Sequence, residues 1–411
     1  MNKKTPSWET VTSADAWNAI RESRLYDLCK LFGSVMEPDL PIEFTLPKAL
    51  VLVGCALSGV DTLKTEDPKL LGIDLARVVI DTGGGQACNV FALLVANSSG
   101  GKDIGGLLNK TAFKRNWLIG TGGSAEGLAD SLCELHQGNG IITISEFRNW
   151  LDKKSWQSKG GRFMTEAFNI GVFSEKFSKK SDSDTRASRF CFPNIIANVQ
   201  GKTMEQFATP EDITSGFLGR FVISTPPDQR PDEMPRRPRA FDSVKIMSEI
   251  SGHMDVYAQK RGIVRMENRY MGELYDEFHS RTAPFDSYWK RLINEYGPRL
   301  AIMLSVGRDD NTTRVRVTTE HMERAEVLIR WFYKMGSNAL RFVETNSDAV
   351  EREDMIERLM IVIKKHGPCS KSKIGQYFRV AGMMKDERNR LLDEVVDRGT
   401  VKIEDRMYSI N

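Results

Sequence analysis

Six cysteines in 411 residues, at Cys29, Cys55, Cys88, Cys133, Cys191 and Cys369, are too scattered for a disulfide framework, and no CxxC pair suggests a zinc site. Five histidines, His136, His253, His279, His321 and His366, have no HxxxH or HxH spacing, so a histidine-built metal centre is not expected. Long apolar runs are missing too. The longest, around Ala49 to Val60, falls short of the ~20 residues that span a bilayer, and the start Met-Asn-Lys-Lys lacks the apolar stretch of a signal peptide. Net charge is only +3, so any attraction to nucleic acid must come from local patches. These absences predict a cytoplasmic chain with no membrane role. What is present, 40% hydrophobic residues, suffices for a large core in two or three domains.

The most informative stretch is Ala96-Asn97-Ser98-Ser99-Gly100-Gly101-Lys102-Asp103, directly after the apolar run Val90 to Val95. A buried strand ending in a small-residue turn with a terminal lysine aims successive N–H groups and an ammonium at one point, which suits the phosphates of ATP. Ser98, Ser99, Gly100, Gly101, Lys102 and Asp103 are therefore the candidate nucleotide cradle. Asp103 stands where a Walker A loop has Ser or Thr; its carboxylate can reach Mg2+ but adds negative charge beside the phosphates. Alone, the octapeptide reads equally as a glycine-rich turn carrying an exposed lysine.

Downstream the pattern alternates: a helix over about 102–110, a strand at Trp117 to Ile119, a helix over about 124–135, and a strand from Gly140 to Ile144. Such alternation predicts a mostly parallel sheet with helices on its faces, and ligands at the strands' carboxyl ends. Ile141 to Ile144 has the form of a Walker B strand, followed by Glu146, a candidate magnesium ligand and water-polarising base. Asn194 to Gln200 reads as a third strand ending in amides, with Gln200 placed to sense the γ-phosphate; the alternative is a core strand and a turn. Arg220, in Gly216-Phe217-Leu218-Gly219-Arg220-Phe221, enters a further strand from a glycine-flanked turn and suits an arginine finger for a neighbouring subunit, or a plain surface arginine.

Taken together, the loop Ala96 to Asp103, Gly123 to Leu128, Ile141 to Phe147, Gly216 to Phe221 and the helical stretch from Arg299-Leu300-Ala301 through Ala325 to Phe332 resemble a family of P-loop ATPases. These are carried by phages, prophages and mobile elements, often beside or fused to primase domains. The resemblance covers roughly residues 40–340. It implies a motor of the RecA-like or AAA+ type, similar to hexameric helicases and forming a homo-oligomeric ring, with Lys102 as the phosphate lysine, Glu146 as the Walker B carboxylate, Arg220 as the finger, ATP and Mg2+ as cofactors, and a primase or other replication protein as partner. Asp103 and the single acid at Glu146 depart from the usual P-loop pattern.

The expected organisation is an N-terminal helical segment (1–60), an α/β P-loop NTPase core (61–228), a Pro/Arg-rich connector (229–240), a helical subdomain (241–345) and a C-terminal winged helix (350–411). Between the Walker B strand and the third strand, Lys153, Lys154, Arg162, Lys179 and Lys180 are interleaved with aromatics, a mixture that suits single-stranded DNA or merely packs a hairpin. In the winged helix, Lys385, Arg388 and Arg390 would face a DNA groove, although a protein-docking version reads nearly as well. The leading expectation is an ATP-dependent helicase-like motor acting on single-stranded or forked DNA; the alternative is a non-hydrolysing DNA-binding initiator or loader on a degenerate nucleotide site.

Overall fold

The computed structural model describes residues 7–81, 85–96, 106–120, 125–135, 138–151, 158–169, 171–176, 185–208, 212, 217–226, 242–265, 286–374, 389, 391–393, 395–396, 401–404 and 407–410. It divides into two units, Met1–Phe342 and Val343–Asn411. Among the described residues, no helix is long and apolar enough to cross a membrane.

The first unit is built on a five-stranded parallel sheet of β2 (Phe91–Val95), β3 (Leu118–Ile119), β4 (Ile141–Ile144), β7 (Asn194–Val199) and β8 (Phe221–Ser224), in the order β3-β4-β7-β2-β8. Every residue of β2, β7 and β8 is buried, as expected of parallel strands covered on both faces. The expected parallel α/β core is present, and its strands fall where the apolar runs put them.

One face is covered by α3 (Ile42–Leu57), a helix whose 16 residues are all buried. A helix apolar all round belongs in the middle of a fold. The sequence suggests a start near Ala49, but the helix begins at Ile42, before Pro47. Proline removes the N–H that would bond the Glu43 carbonyl one turn back; Ser224 Oγ at the end of β8 donates to that carbonyl instead, at 2.6 Å. Gly54 lets α3 approach the sheet, for a Cβ there would lie 2.6 Å from Asn194 Oδ1. Trp17, Ile20, Leu25, Leu28 and Leu31 suggest one helix from Ala14 to about Phe32, but the chain forms two, α1 (Ser13–Ile20) and α2 (Arg24–Gly33). The break at Ser23 lets the chain bridge to Gly307. On this same face, α4 (Leu107–Lys114) and α9 (Ser243–Ala258) pack around α3.

The opposite side carries α6 (Arg148–Leu151), α7 (Ser158–Asn169) and α8 (Gly201–Phe207), and Phe168 of α7 packs its ring on Phe91 of β2. Between β4 and β7 the chain also forms the antiparallel pair β5 (Phe173–Lys176) and β6 (Thr185–Ser188). Residues 241–345, expected to be mainly helical, hold α10 (Asp286–Arg291), a π turn over Leu292–Tyr296 and α11 (Gly297–Ser305). They also contribute β9 (Gly262–Arg265), paired in parallel with β1 (Val78–Asp81). That pairing joins segments far apart in sequence, which local pattern does not reveal.

Helix α12 (Thr319–His366) runs 48 residues without a break. Met355, Ile356, Leu359, Met360 and Ile363 suggest a separate helix from Glu351 to Lys365, but between Gly336 and Gly367 there is no glycine or proline to end the preceding one. In the second unit, Ile356, Leu359 and Ile363 of this helix share a core with Cys369, Ile374, Leu391, Leu392, Val395, Val401 and Tyr408. Its three strands, β10 (Cys369–Ser370), β11 (Val401–Glu404) and β12 (Met407–Ile410), form an antiparallel sheet in the order β10-β12-β11.

Candidate functional site

The connection leaving β2 runs through α4 to β3 at one edge of the sheet, passing β7 and β4. That leaving β7 runs through α8 to β8, passing β2. Neighbouring strands whose connections depart in opposite directions open a crevice at their carboxyl ends, where open α/β sheets bind ligands. Ala96 stands at its rim, still paired to the sheet by its N–H to the Val199 carbonyl at 3.0 Å. Ser98, Ser99, Gly100, Gly101, Lys102 and Asp103 lie outside the described residues; α4 begins beyond them at Leu107.

Two of the expected site residues follow adjacent strands at this edge. Glu146 follows β4, is exposed, and is held by its neighbour: the Phe147 N–H donates to the Asn198 carbonyl of β7 at 3.0 Å. Phe147 itself is buried between the rings of Phe217 and Phe221, so the turn that carries the carboxylate is anchored on both sides. Gln200 is exposed directly after β7 and caps α8 in an extended conformation. An anionic oxygen donor and a neutral amide thus stand on adjacent strands beside the exit of β2.

Arg220 lies elsewhere. It closes a short 3-10 turn at the amino end of β8, the sheet edge opposite to Glu146, and it is buried. Its guanidinium carbon is 6.0 Å from the centre of the Phe168 ring, and its carbonyl accepts the Tyr296 hydroxyl. Burial, and then the nearby Arg291 charge, push its pKa below the ordinary arginine value. In this chain, then, its guanidinium packs within its own subunit.

Beside it is Arg299, which opens the helical stretch that carries the family resemblance but is not among the expected site residues. Its side chain is fully buried, stacks 4.2 Å from the Phe168 ring centre and donates to the Asn89 carbonyl at 2.8 Å. Burial lowers its pKa. Tyr296 completes the cluster by accepting the Phe91 N–H at 3.1 Å. These groups buttress the amino end of β2 and leave its carboxyl end to the crevice.

Of the residues read as nucleic-acid contacts, Lys153, Lys154, Lys179, Lys180, Lys385, Arg388 and Arg390 lie outside the described residues. Arg162 falls within α7. Four of the cysteines are held as inert thiols: burial raises Cys29, Cys55 and Cys191 above their ordinary range and pushes Cys88 up to about 12. No protein-family model matches this chain, and comparison with curated proteins finds no match.

Proposed function

We propose that the chain is a P-loop ATPase of the RecA-like or AAA+ type, working as an oligomeric, helicase-like motor on single-stranded or forked DNA in the replication of a phage or mobile element. The observation that carries this reading is the sheet order β3-β4-β7-β2-β8: it sets the strand before the Ala96–Asp103 loop beside the crevice, with Glu146 and Gln200 on the next carboxyl ends. A phosphate loop, an acid after the strand next but one, and an amide after the strand between them form a set suited to phosphoryl transfer to water.

In this reading the loop N–H groups and Lys102 hold the phosphates, and Glu146 orients and deprotonates the attacking water. Gln200 donates to the γ-phosphate or that water. The donor set fits Mg2+, which prefers carboxylate and water oxygens; Asp103 and Glu146 would hold it, and it would supply charge neutralisation on the phosphates. To serve a neighbouring subunit in a ring, Arg220 would have to leave the packing near Phe168 that it holds here. The helices and three-stranded antiparallel sheet of the second unit are read as a winged helix that docks on DNA or on a replication protein such as a primase.

The test is ATP hydrolysis by the purified chain with and without single-stranded DNA. The reading expects DNA-stimulated turnover that Lys102→Ala abolishes. Absence of turnover at any DNA concentration, with DNA still bound, would leave a binding protein on an inactive nucleotide site.

A further inference from the structure

Away from the crevice, Trp17 of α1 and Tyr26 of α2 meet edge to face with ring centres 5.4 Å apart. Both are half-buried, so each ring has a solvent-facing part. Two cations sit over them. Lys30 Nζ lies 4.9 Å from the Trp17 ring centre and 6.0 Å from that of Tyr26, and the Arg308 guanidinium lies 4.7 Å from Tyr26. Lys30 is exposed, while Arg308 is 44% exposed and steered by Asp27 at 3.0 Å. Exposed Arg21 stands nearby in the chain, and Arg24 is tied to Asn311 and to the Asp310 carbonyl beyond Arg308.

Aromatic faces interleaved with exposed cations match the chemistry of a single nucleic-acid strand, in which bases stack on rings and phosphates follow the charges. A cation over an exposed ring is held weakly, more weakly than a base stacked on the same ring. Lys30 can therefore leave the rings to a base and turn to a neighbouring phosphate. Asp27 opposes an approaching phosphate, but Arg308 holds it through one guanidinium nitrogen and can offer its remaining donors to the strand.

We propose that Trp17, Tyr26, Lys30 and Arg308 form a stacking site for single-stranded nucleic acid on the N-terminal helices. The proposal rests on the nucleic-acid part of the function proposed above and not on its nucleotide site. The test is fluorescence anisotropy of a labelled oligothymidylate with the full chain, without ATP, across a salt series. Trp17→Ala and Tyr26→Ala each weaken binding at least about fivefold, whereas Trp17→Phe and Tyr26→Phe, which keep a ring, retain it. Combining Lys30→Ala with Arg308→Ala reduces the slope of log affinity against log salt by roughly 1.4, two phosphate contacts on a single strand. A merely structural cluster would lower the melting temperature without moving that slope. Wild-type affinity and slope in all these variants would overturn the site while leaving the motor reading standing. Weakened binding in a chain that hydrolyses no ATP would support the site and remove the motor. A wild-type chain that binds no oligonucleotide would overturn both.

Discussion

The Ser224 hydroxyl donates to the main-chain carbonyl of Glu43 across 2.6 Å, the carbonyl that Pro47 leaves without its helical donor. A buried helix and the carboxyl end of an edge strand are thereby joined at a defect in the helix. Loss of the hydroxyl strands a buried acceptor, so Ser224→Ala is expected to cost about 1–3 kcal/mol. In a Pro47→Ala background the helix regains its own N–H, and the cost of Ser224→Ala should fall. Urea unfolding of the four proteins gives the coupling; equal costs in both backgrounds would show that the two positions act independently.

Lys260 has no exposed side-chain surface and bonds Asp310 at 2.7 Å. Burial alone would raise the Asp310 carboxyl, but hydrogen bonds from Lys260 and Thr312 outweigh it and hold the pKa below its ordinary 3.8. A depressed folded-state pKa means that the stabilisation is complete above the unfolded carboxyl pKa and is lost as pH falls through the folded one. Asp310→Asn should cost about 3–5 kcal/mol near neutrality, because it leaves a buried ammonium without a counter-charge, and Lys260→Met should cost less. The gap between wild type and Asp310→Asn, followed by denaturant unfolding, should stay constant from neutral pH down to the carboxyl range and then close in acid. A gap unchanged in acid would contradict the pairing.

Among the six cysteines, only Cys133 is not buried. A thiol reagent added to the folded chain should titrate one group rapidly and all of them after denaturation. Fast reaction of several thiols without denaturant would mean that the core around Cys29, Cys55, Cys88 and Cys191 opens readily.

Arg220 is expected to have two effects that can be separated. Because its guanidinium packs near Phe168, Arg220→Ala should lower the melting temperature. If it also serves a neighbouring site, a mixture of inactive Arg220→Ala and inactive Lys102→Ala chains should regain part of the turnover, since some sites then pair an intact loop with an intact finger. No recovery on mixing would confine Arg220 to its own core.

The parallel core was legible because its strands are short, mostly apolar runs, Val90 to Val95, Ile141 to Ile144 and Asn194 to Val199, each followed by small or polar residues. Glu146 and Gln200 were legible for the same reason, since a residue just beyond a parallel strand must lie at its carboxyl edge. The β1–β9 pairing and the Arg299–Phe168 stack were not, because each joins segments more than a hundred residues apart. The start of α3 was hidden by Pro47, whose cost is met by Ser224, a partner that only the folded chain supplies. The burial of Arg220 was hidden as well, for nothing in a glycine-flanked turn tells whether the following arginine faces solvent.

In the proposed function Glu146 acts on water at a site where ATP is held mainly by the loop N–H groups and Lys102. Glu146→Gln keeps the size of an exposed side chain and one neutral oxygen for the metal but removes the charge and the base, so the fold and the ATP binding carried by the loop should persist while turnover falls by about a hundredfold or more. The decisive measurement is phosphate release alongside binding of a fluorescent ATP analogue by this variant. Retained binding with lost release is the predicted result, and wild-type release by Glu146→Gln would contradict the account.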